Sequence, residues 1–429
     1  MVSWIILAIF IIITIFMVLK KIPAIFALPL MALLIAAVSG IPFFTSRAED
    51  GTSITGIQDL IFAEGSIRLA SSIMTMIFGS ILGQIIKNTG IAETMIKKVS
   101  ELAGDRMLIL CILISIVLSL LFTSLAGLGS FIMVANIAIP ILISVGVPSL
   151  VAGCIVLFSL SVGGIFNMVN WALYQSVLGL SNEQIRSFAY VFGIVMALTV
   201  LAFMIIELKV KRIKTAWPAP AEAGQGEYKK VNFLAFFTPI IPLILVFFFK
   251  WEINSAFVAG ILYGCITTIG RGSLGMVTKS VLTGVSEISA PLFLMMGIGM
   301  LLKAVMDPRV TVHIGGAISS LLPSSPFAYV LFFAILAPLA LYRGPLNIWG
   351  LGLGLVAIIA GTGKLAPMAI MAAFLTVGQI QGICDPTNTH NVWTAQAIGN
   401  DVNDIMKKTI PYVWAAAIVG LVLSAVLYV

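Results

Sequence analysis

Apolar runs long enough to cross a lipid bilayer recur from one end of this chain to the other, and that recurrence fixes its class. A spanning helix needs about 20 predominantly apolar residues. Such runs are read at 2–19, 22–43, 67–88, 186–208, 231–249, 253–270, 280–303 and 409–428. Two longer apolar blocks, 106–180 and 325–398, are interrupted by Gly, Pro, Ser, Thr and Asn. Only 10% of the 429 residues are charged, against roughly 25% in soluble domains. A soluble chain of this size would have to wet a large surface, so most of this surface must face lipid. The expected fold is an all-α polytopic membrane protein.

The first run, Val2 to Leu19, is of spanning length and lacks a small-residue cleavage site, so it reads as a retained helix rather than a secretory signal. The four cysteines, Cys111, Cys154, Cys265 and Cys384, lie in apolar stretches without metal-ligand spacing and read as small buried hydrophobes. The net charge of +7 comes from basic residues clustered where helices end. Topology explains that pattern, and no nucleic-acid partner is expected. The sequence contains no HExxH, no GxSxG elbow and no nucleotide loop. A membrane-embedded enzyme is therefore disfavoured, and no cofactor or catalytic residue is expected.

One polar, basic segment rich in Pro, Ala and Gly, residues 209–230, divides the chain into near-equal halves, 1–208 and 231–429. Lys20–Lys21, Lys97–Lys98, this linker, Arg271 with Lys279, and Lys407–Lys408 fall inside by the positive-inside rule. The connections at 44–60, 250–252 and 304–324 are poorer in Lys and Arg. Both termini then fall outside and the linker inside. The halves resemble each other: 147–176 aligns with 366–395, setting Pro148 against Pro367, Gly163 against Gly382 and Asn170 against Thr389. FGSILGQIIKNTG (78–90) likewise resembles MGIGMLLKAVMDP (296–308). With the charge-derived topology, the halves become inverted repeats, the architecture of many secondary transporters.

Irregular backbone survives at membrane depth only where it is buried in protein or lines a watery cavity. Four interruptions are therefore candidates for the site. TSLAGLGS (Thr123 to Ser130) and LYRGPLNIWG (Leu341 to Gly350) read as tips of re-entrant hairpins, offering Thr123, Ser124 and Gly129 in the first, Arg343 and Asn347 in the second. The other two, GGIFNMVNWALYQS and GICDPTNTHN, read as breaks within membrane helices. Asn and Thr supply polar groups there, and the helix restart offers N–H groups to an anion while freed carbonyls can hold a small cation. Asp385 is an ionisable group in an apolar region, suited to ion coupling and equally to capping the helix that follows. His390 is a second ion-coupling candidate, because imidazole titrates near neutral pH. Arg343 offers a guanidinium fork that matches a carboxylate. Glu64, Arg68, Glu287, Lys303 and Asp307 read as interfacial groups whose stems snorkel.

These segments resemble the ion-transporter superfamily, the group that includes citrate, gluconate, lactate and C4-dicarboxylate permeases. The local carriers are GSILGQIIKNTGIAETMIKKV (79–99), the tip TSLAGLGS and the break PTNTHN (386–391), and the order of elements extends the likeness over nearly the whole chain. The resemblance implies a substrate carboxylate, and in some members Na⁺, held by Ser124, Asn167, Asn170, Asn388 and Thr389, with a possible Na⁺ position near Ser124, Asn167 and Asn388. It also implies a homodimer working by an elevator movement. The paired Ser-Asn-Thr signature of the dicarboxylate carriers is replaced here by TSLAGLGS and RGPLN. The expected activity is H⁺- or Na⁺-coupled uptake of a small organic anion across the inner membrane, with Na⁺/H⁺ exchange as the alternative.

Overall fold

A computed structural model describes residues 2–19, 21–47, 53–104, 106–210, 231–268, 274–349 and 351–429, without the side chains of Val18, Ile314, Ala317 and Arg343. In the first half α1 (Val2–Val18) and α2 (Ala24–Val38) precede a two-stranded ribbon, β1 (Ser46–Arg47) with β2 (Ser53–Ile54). A π-helix (Gln58–Gly65) then leads into α3 (Ala70–Thr89) and α4 (Ile91–Ala103). The helical hairpin α5 (Met107–Phe122) and α6 (Leu128–Ser144) follows. The half ends with α7 (Ser149–Ile165), α8 (Met168–Leu178) and α9 (Asn182–Ile205), which runs into a π-helical turn, Ile206–Val210.

The second half repeats this series. A 3₁₀ segment (Phe233–Phe237) and α10 (Ile241–Phe247) precede α11 (Ile253–Thr267), α12 (Leu274–Glu287), α13 (Ser289–Met306) and α14 (Pro308–Leu321). A second hairpin consists of α15 (Pro326–Leu336), continued by a 3₁₀ segment (Ala337–Arg343), and α16 (Gly352–Gly361). Then come α17 (Pro367–Cys384), α18 (Thr389–Ala397) and α19 (Val402–Tyr428). The linker of the sequence reading lies outside the described residues from 211 to 230, as do Lys20 and Arg271.

Local signals place most boundaries. Ser181 and Gln184 close a reciprocal capping box at the start of α9. Pro308, Pro326 and Pro367 each occupy the first turn of a helix, where the missing N–H costs nothing. Gly90, in the left-handed region at φ 78°, turns α3 into α4.

Five helical segments among the described residues are long and apolar enough to cross a membrane: 58–89, 182–210, 289–306, 367–397 and 402–428. The pair α7 and α8, bent by 44°, makes a sixth. The chain is thus an α-helical, multi-pass membrane protein. Several expected spans differ in detail. The run 22–43 is helical only over 15 residues, Ala24–Val38. The run 231–249 is split into the 3₁₀ segment and α10, with Pro239 between them and Pro242 in the first turn of α10. The run 280–303 is divided at Ile288 between α12 and α13.

The two halves exchange their early helices. α2 packs on α13, and α11 packs on α3; the π-helix 58–65 lies on α13, and α12 lies on α3. Polar contacts pin the second of these joints: Thr75 donates to Asn254 (2.7 Å), Ser80 to the carbonyl of Gly284 (2.9 Å) and Asn88 to Ser280 (2.8 Å). At the first, a Cβ on Gly299 would stand 2.4 Å from the Gly65 carbonyl oxygen, so only glycine lets these backbones meet. This interlocked group flanks the hairpins and bent helices that carry the candidate site.

Candidate functional site

The two breaks are built on one plan. Asn167 caps α8, its Oδ1 accepting from the Val169 N–H at 2.9 Å. Asn388 caps α18 in the same way, accepting from the His390 N–H at 3.1 Å. Three residues beyond each cap stands a second asparagine. Asn170 Nδ2 donates to the carbonyl of Gly164 at 2.8 Å, and Asn391 Nδ2 donates to the carbonyl of Asp385 at 2.9 Å. Each second asparagine thus reaches back six residues and holds the end of the preceding helix across the break. Asn391 was not a sequence candidate. The spacing Asn-x-x-Asn, present at 167–170 and at 388–391, is the signal that could have found it.

This plan corrects the sequence alignment beyond the break. Gly163 and Gly382 match before it, but Asn167 corresponds to Asn388 and Asn170 to Asn391, because the second break is two residues longer. The extra length is occupied by an Asp385 turn. Asp385 is fully buried and ends α17, and its Oδ1 accepts from both the N–H and the hydroxyl of Thr387 (2.8 and 2.7 Å). The cap of α18 is Asn388, so Asp385 shapes the break rather than capping the next helix. Thr389 is the first residue of α18.

The breaks meet the hairpins crosswise. α18 packs against α6 of the first hairpin, and α8 packs against α16 of the second. His390 sets its ring edge-on to Phe131 of α6, with centroids 4.9 Å apart, and its Nδ1 lies 3.0 Å from the Asn388 side-chain oxygen. Trp393 contacts the same Phe131 ring from the next turn. Asn167 ties its own break to the first tip: Nδ2 donates to the carbonyls of Phe122 (2.8 Å) and Leu125 (3.2 Å). The helices entering the two breaks, α7 and α17, touch through a Ser161–Gln379 hydrogen bond.

At the first tip, Thr123 and Ser124 are buried. The Thr123 hydroxyl turns back to the Leu120 carbonyl, and Ser124 donates to the carbonyl of Pro239 at 2.6 Å. Ser124 therefore anchors the tip to the connection between the 3₁₀ segment 233–237 and α10. At the second tip Asn347 is buried and its side-chain oxygen accepts from the Trp349 N–H at 2.9 Å, the same local cap as in the breaks. Arg343 ends the 3₁₀ segment, directly after Tyr342 in the left-handed region at φ 55°. The Arg343 side chain lies outside the described residues.

Four of the groups read as interfacial are held by specific partners. Glu287 lies against Gly127 and Gly129 at the first tip, and its Oε1 is 3.8 Å from Lys87 Nζ. Lys303 pairs with Glu64. Asp307 caps α14 and binds Arg309. A cleft of about 510 Å³ opens beside Gly129, lined by Lys87, Glu93, Met133 and Asn136.

The candidate site thus comprises four helix starts, at α6, α8, α16 and α18, paired as α6 with α18 and α8 with α16, with asparagines fixing the turns that lead into three of them. Such an arrangement directs the positive ends of helix dipoles toward an anion, while the carbonyls of Gly164, Asp385, Phe122 and Leu125 are engaged by asparagine side chains. Among the described residues no cluster of three or more His, Cys, Asp or Glu has the geometry to hold a metal ion.

No family profile matches the sequence, and no curated protein matches it. Solved structures do. The YdaH transporter of Alcanivorax borkumensis superposes with a TM-score of 0.64 at 14% identity, covering 94% of this chain and 98% of that one. MtrF of Neisseria gonorrhoeae, of a class of antimetabolite efflux pumps, superposes with a TM-score of 0.61 at 14% identity, covering 95% of both chains. At that identity the likeness establishes the fold: this chain has, over nearly its whole length, the helical architecture of these two membrane transporters.

Proposed function

We propose that this protein is a secondary transporter that moves a small organic anion, a carboxylate, into the cell with H⁺ or Na⁺ as the coupling ion. The observation that carries the reading is the matched pair of asparagine-capped breaks, each packed against the hairpin of the opposite half. Two helices broken at corresponding places, with their N-terminal turns rigidly set, form the kind of site in which an anion's charge is met by peptide dipoles. The transporter fold shared with YdaH and MtrF supports the general assignment. Arg343, in the second hairpin's tip segment, is the candidate counter-charge for the carboxylate. Asn388, Asn167 and Ser124 are candidates for a Na⁺ position. The inverted arrangement of the halves, the ion-transporter superfamily, the inner membrane, a homodimer and an elevator movement belong to this same reading.

The second reading is Na⁺/H⁺ exchange, favoured by one observation: a fully buried carboxylate, Asp385, stands at the second break. Thermal stabilisation of the purified protein by lactate, succinate, citrate and gluconate, with and without Na⁺ at two pH values, separates the two, because a ligand of the folded state raises its stability. Stabilisation by one of the four carboxylates, lost in Arg343→Ala, is the expected result. Stabilisation by Na⁺ or pH alone would select the exchanger instead.

A further inference from the structure

Glu207 is a fully buried carboxylate that the site described above does not use. It lies in the π-helical turn that ends α9, and α19 engages both of its oxygens. Lys408 Nζ donates to Oε2 at 2.8 Å, and the Tyr412 hydroxyl donates to Oε1 at 2.9 Å. Lys408 and Tyr412 are one helical turn apart, so a single face of α19 holds the carboxylate. Cys154 of α7 lies within electrostatic reach of Glu207, Lys408 and Cys384 of α17. Lys209 shares the turn with Glu207, while α5 and α8 carry no charged residue.

The cluster is joined to the second break by one short step. Thr409 follows Lys408 in the chain, and its hydroxyl stands 3.2 Å from the Cys384 sulfur. Cys384 is the residue before Asp385, where the break begins. The ion pair therefore sits beside the helix junction whose geometry the anion site depends on.

The Glu–Lys pair, its carboxylate buried and its ammonium about a quarter exposed, is neutral as a whole, and removing one charge leaves the other unbalanced beside the break. A proton taken up by Glu207 would do that: the carboxylate becomes a neutral acid, and the Lys408 ammonium keeps its charge without a counter-ion. A substrate carboxylate at the adjoining break would then restore neutrality. By linkage, proton binding and anion binding strengthen each other by the same factor. We infer that Glu207 is the proton-binding site of this transporter and that Lys408 couples its occupancy to the anion site at the second break. The inference rests on the carboxylate-transport reading and names H⁺ as the coupling ion.

Two measurements on the full-length protein in liposomes test it. The first is infrared difference spectroscopy across roughly pH 5 to 9, the range into which burial can move a carboxylate. The wild type should show a buried carboxylic-acid band that titrates, and Glu207→Gln should lack it. Tyr412→Phe keeps the ion pair and removes one donor to the charged form. Its midpoint should move to higher pH, a change that a merely structural contact would not produce. Absence of the band, or a band that survives Glu207→Gln, overturns the proton site. Where Glu207→Gln does not fold, an unmoved midpoint in Tyr412→Phe overturns it as well.

The second measurement is exchange of radiolabelled lactate, succinate, citrate and gluconate. For the compound that exchanges, half-saturation should need about tenfold less substrate in acid than in alkali for the wild type, and should not vary with pH in Glu207→Gln. PH-independent half-saturation in the wild type overturns the coupling. If none of the four compounds exchanges while the band titrates as expected, the carboxylate reading has failed, and with it the coupling to an anion, whereas the proton site stands.

Discussion

The carboxylate of Glu287, at the end of α12, lies directly on the backbone of Gly129 in the first turn of α6. A Cβ built on Gly129 would stand 2.2–2.3 Å from the carboxyl atoms of Glu287. No real side chain tolerates that distance, so Gly129→Ala must displace either the tip or Glu287. The atoms in the way are the flexible end of Glu287, so the carboxylate can swing aside, and we expect a loss of no more than about 1 kcal/mol, the low end of overpacking costs. Adding Glu287→Ala should restore most of it. Thermal melts of the two single variants and the double variant form the cycle. Strict additivity of the two effects would refute the contact.

Asn167 makes three hydrogen bonds in a buried setting, two of them to carbonyls that end the first leg of the hairpin. Replacing it by alanine leaves those carbonyls and one helix-start N–H without that partner, at about 1–3 kcal/mol for each group that water cannot reach. Asn167→Ala should therefore lower the melting temperature and abolish uptake. Asn167→Asp keeps the acceptor for the Val169 N–H but turns a charged oxygen toward two carbonyls. It should be at least as damaging as alanine. An Asp variant with normal uptake would remove Asn167 from the site.

Asn391 holds the Asp385 carbonyl through Nδ2, while its Oδ1 is buried with no hydrogen-bond partner among the described residues. A buried amide oxygen of that kind costs stability unless something binds it. Asn391→Leu should consequently cost little in the melting temperature of the ligand-free protein. It should lower substrate-induced stabilisation at least tenfold in apparent affinity. If uptake and ligand-induced stabilisation are unaffected, Asn391 is a packing residue and the two breaks are not functionally equivalent.

Asp307 stands just beyond the apolar segment Ser289–Met306, bound by Arg309 through the side chain and the N–H. The Arg309 hydrogen bond holds its carboxyl below the ordinary aspartate value, against the opposing effect of burial. A carboxyl so lowered adds stability above its unfolded pKa and loses it as the pH falls through the folded one. The melting temperature should therefore exceed that of Asp307→Asn at neutral pH by roughly 1–3 °C. The gap should begin to close below about pH 4. A gap that widens in acid would contradict the assignment.

What the sequence settled by itself follows from interactions that are local or depend on composition. An excess of apolar runs over charge can be satisfied only by lipid, and so the multi-pass helical fold was legible. Gly and Asn within apolar blocks announce interrupted helices, because each unpaired peptide group must find a partner nearby; both breaks and both tips were found in this way. The sequence also placed Asn167, Asn170 and Asn388 among the candidates, through the resemblance to the ion-transporter superfamily; that Asn167 and Asn388 cap helices is read from the structure.

The tertiary structure decided which of these polar groups are spent and which face a site. Ser124 is used on the Pro239 carbonyl, 115 residues away in the chain. Glu287 reads as a surface anchor in sequence, yet it lies on a glycine of the opposite half. Glu207 and Lys408 look like unrelated charges at helix ends until α9 and α19 are set side by side. The correspondence of Asn391 with Asn170 was obscured by two residues of extra length at the Asp385 turn. Such relationships depend on packing between distant segments, where one residue's burial is set by another's position, and no local pattern in the chain encodes them.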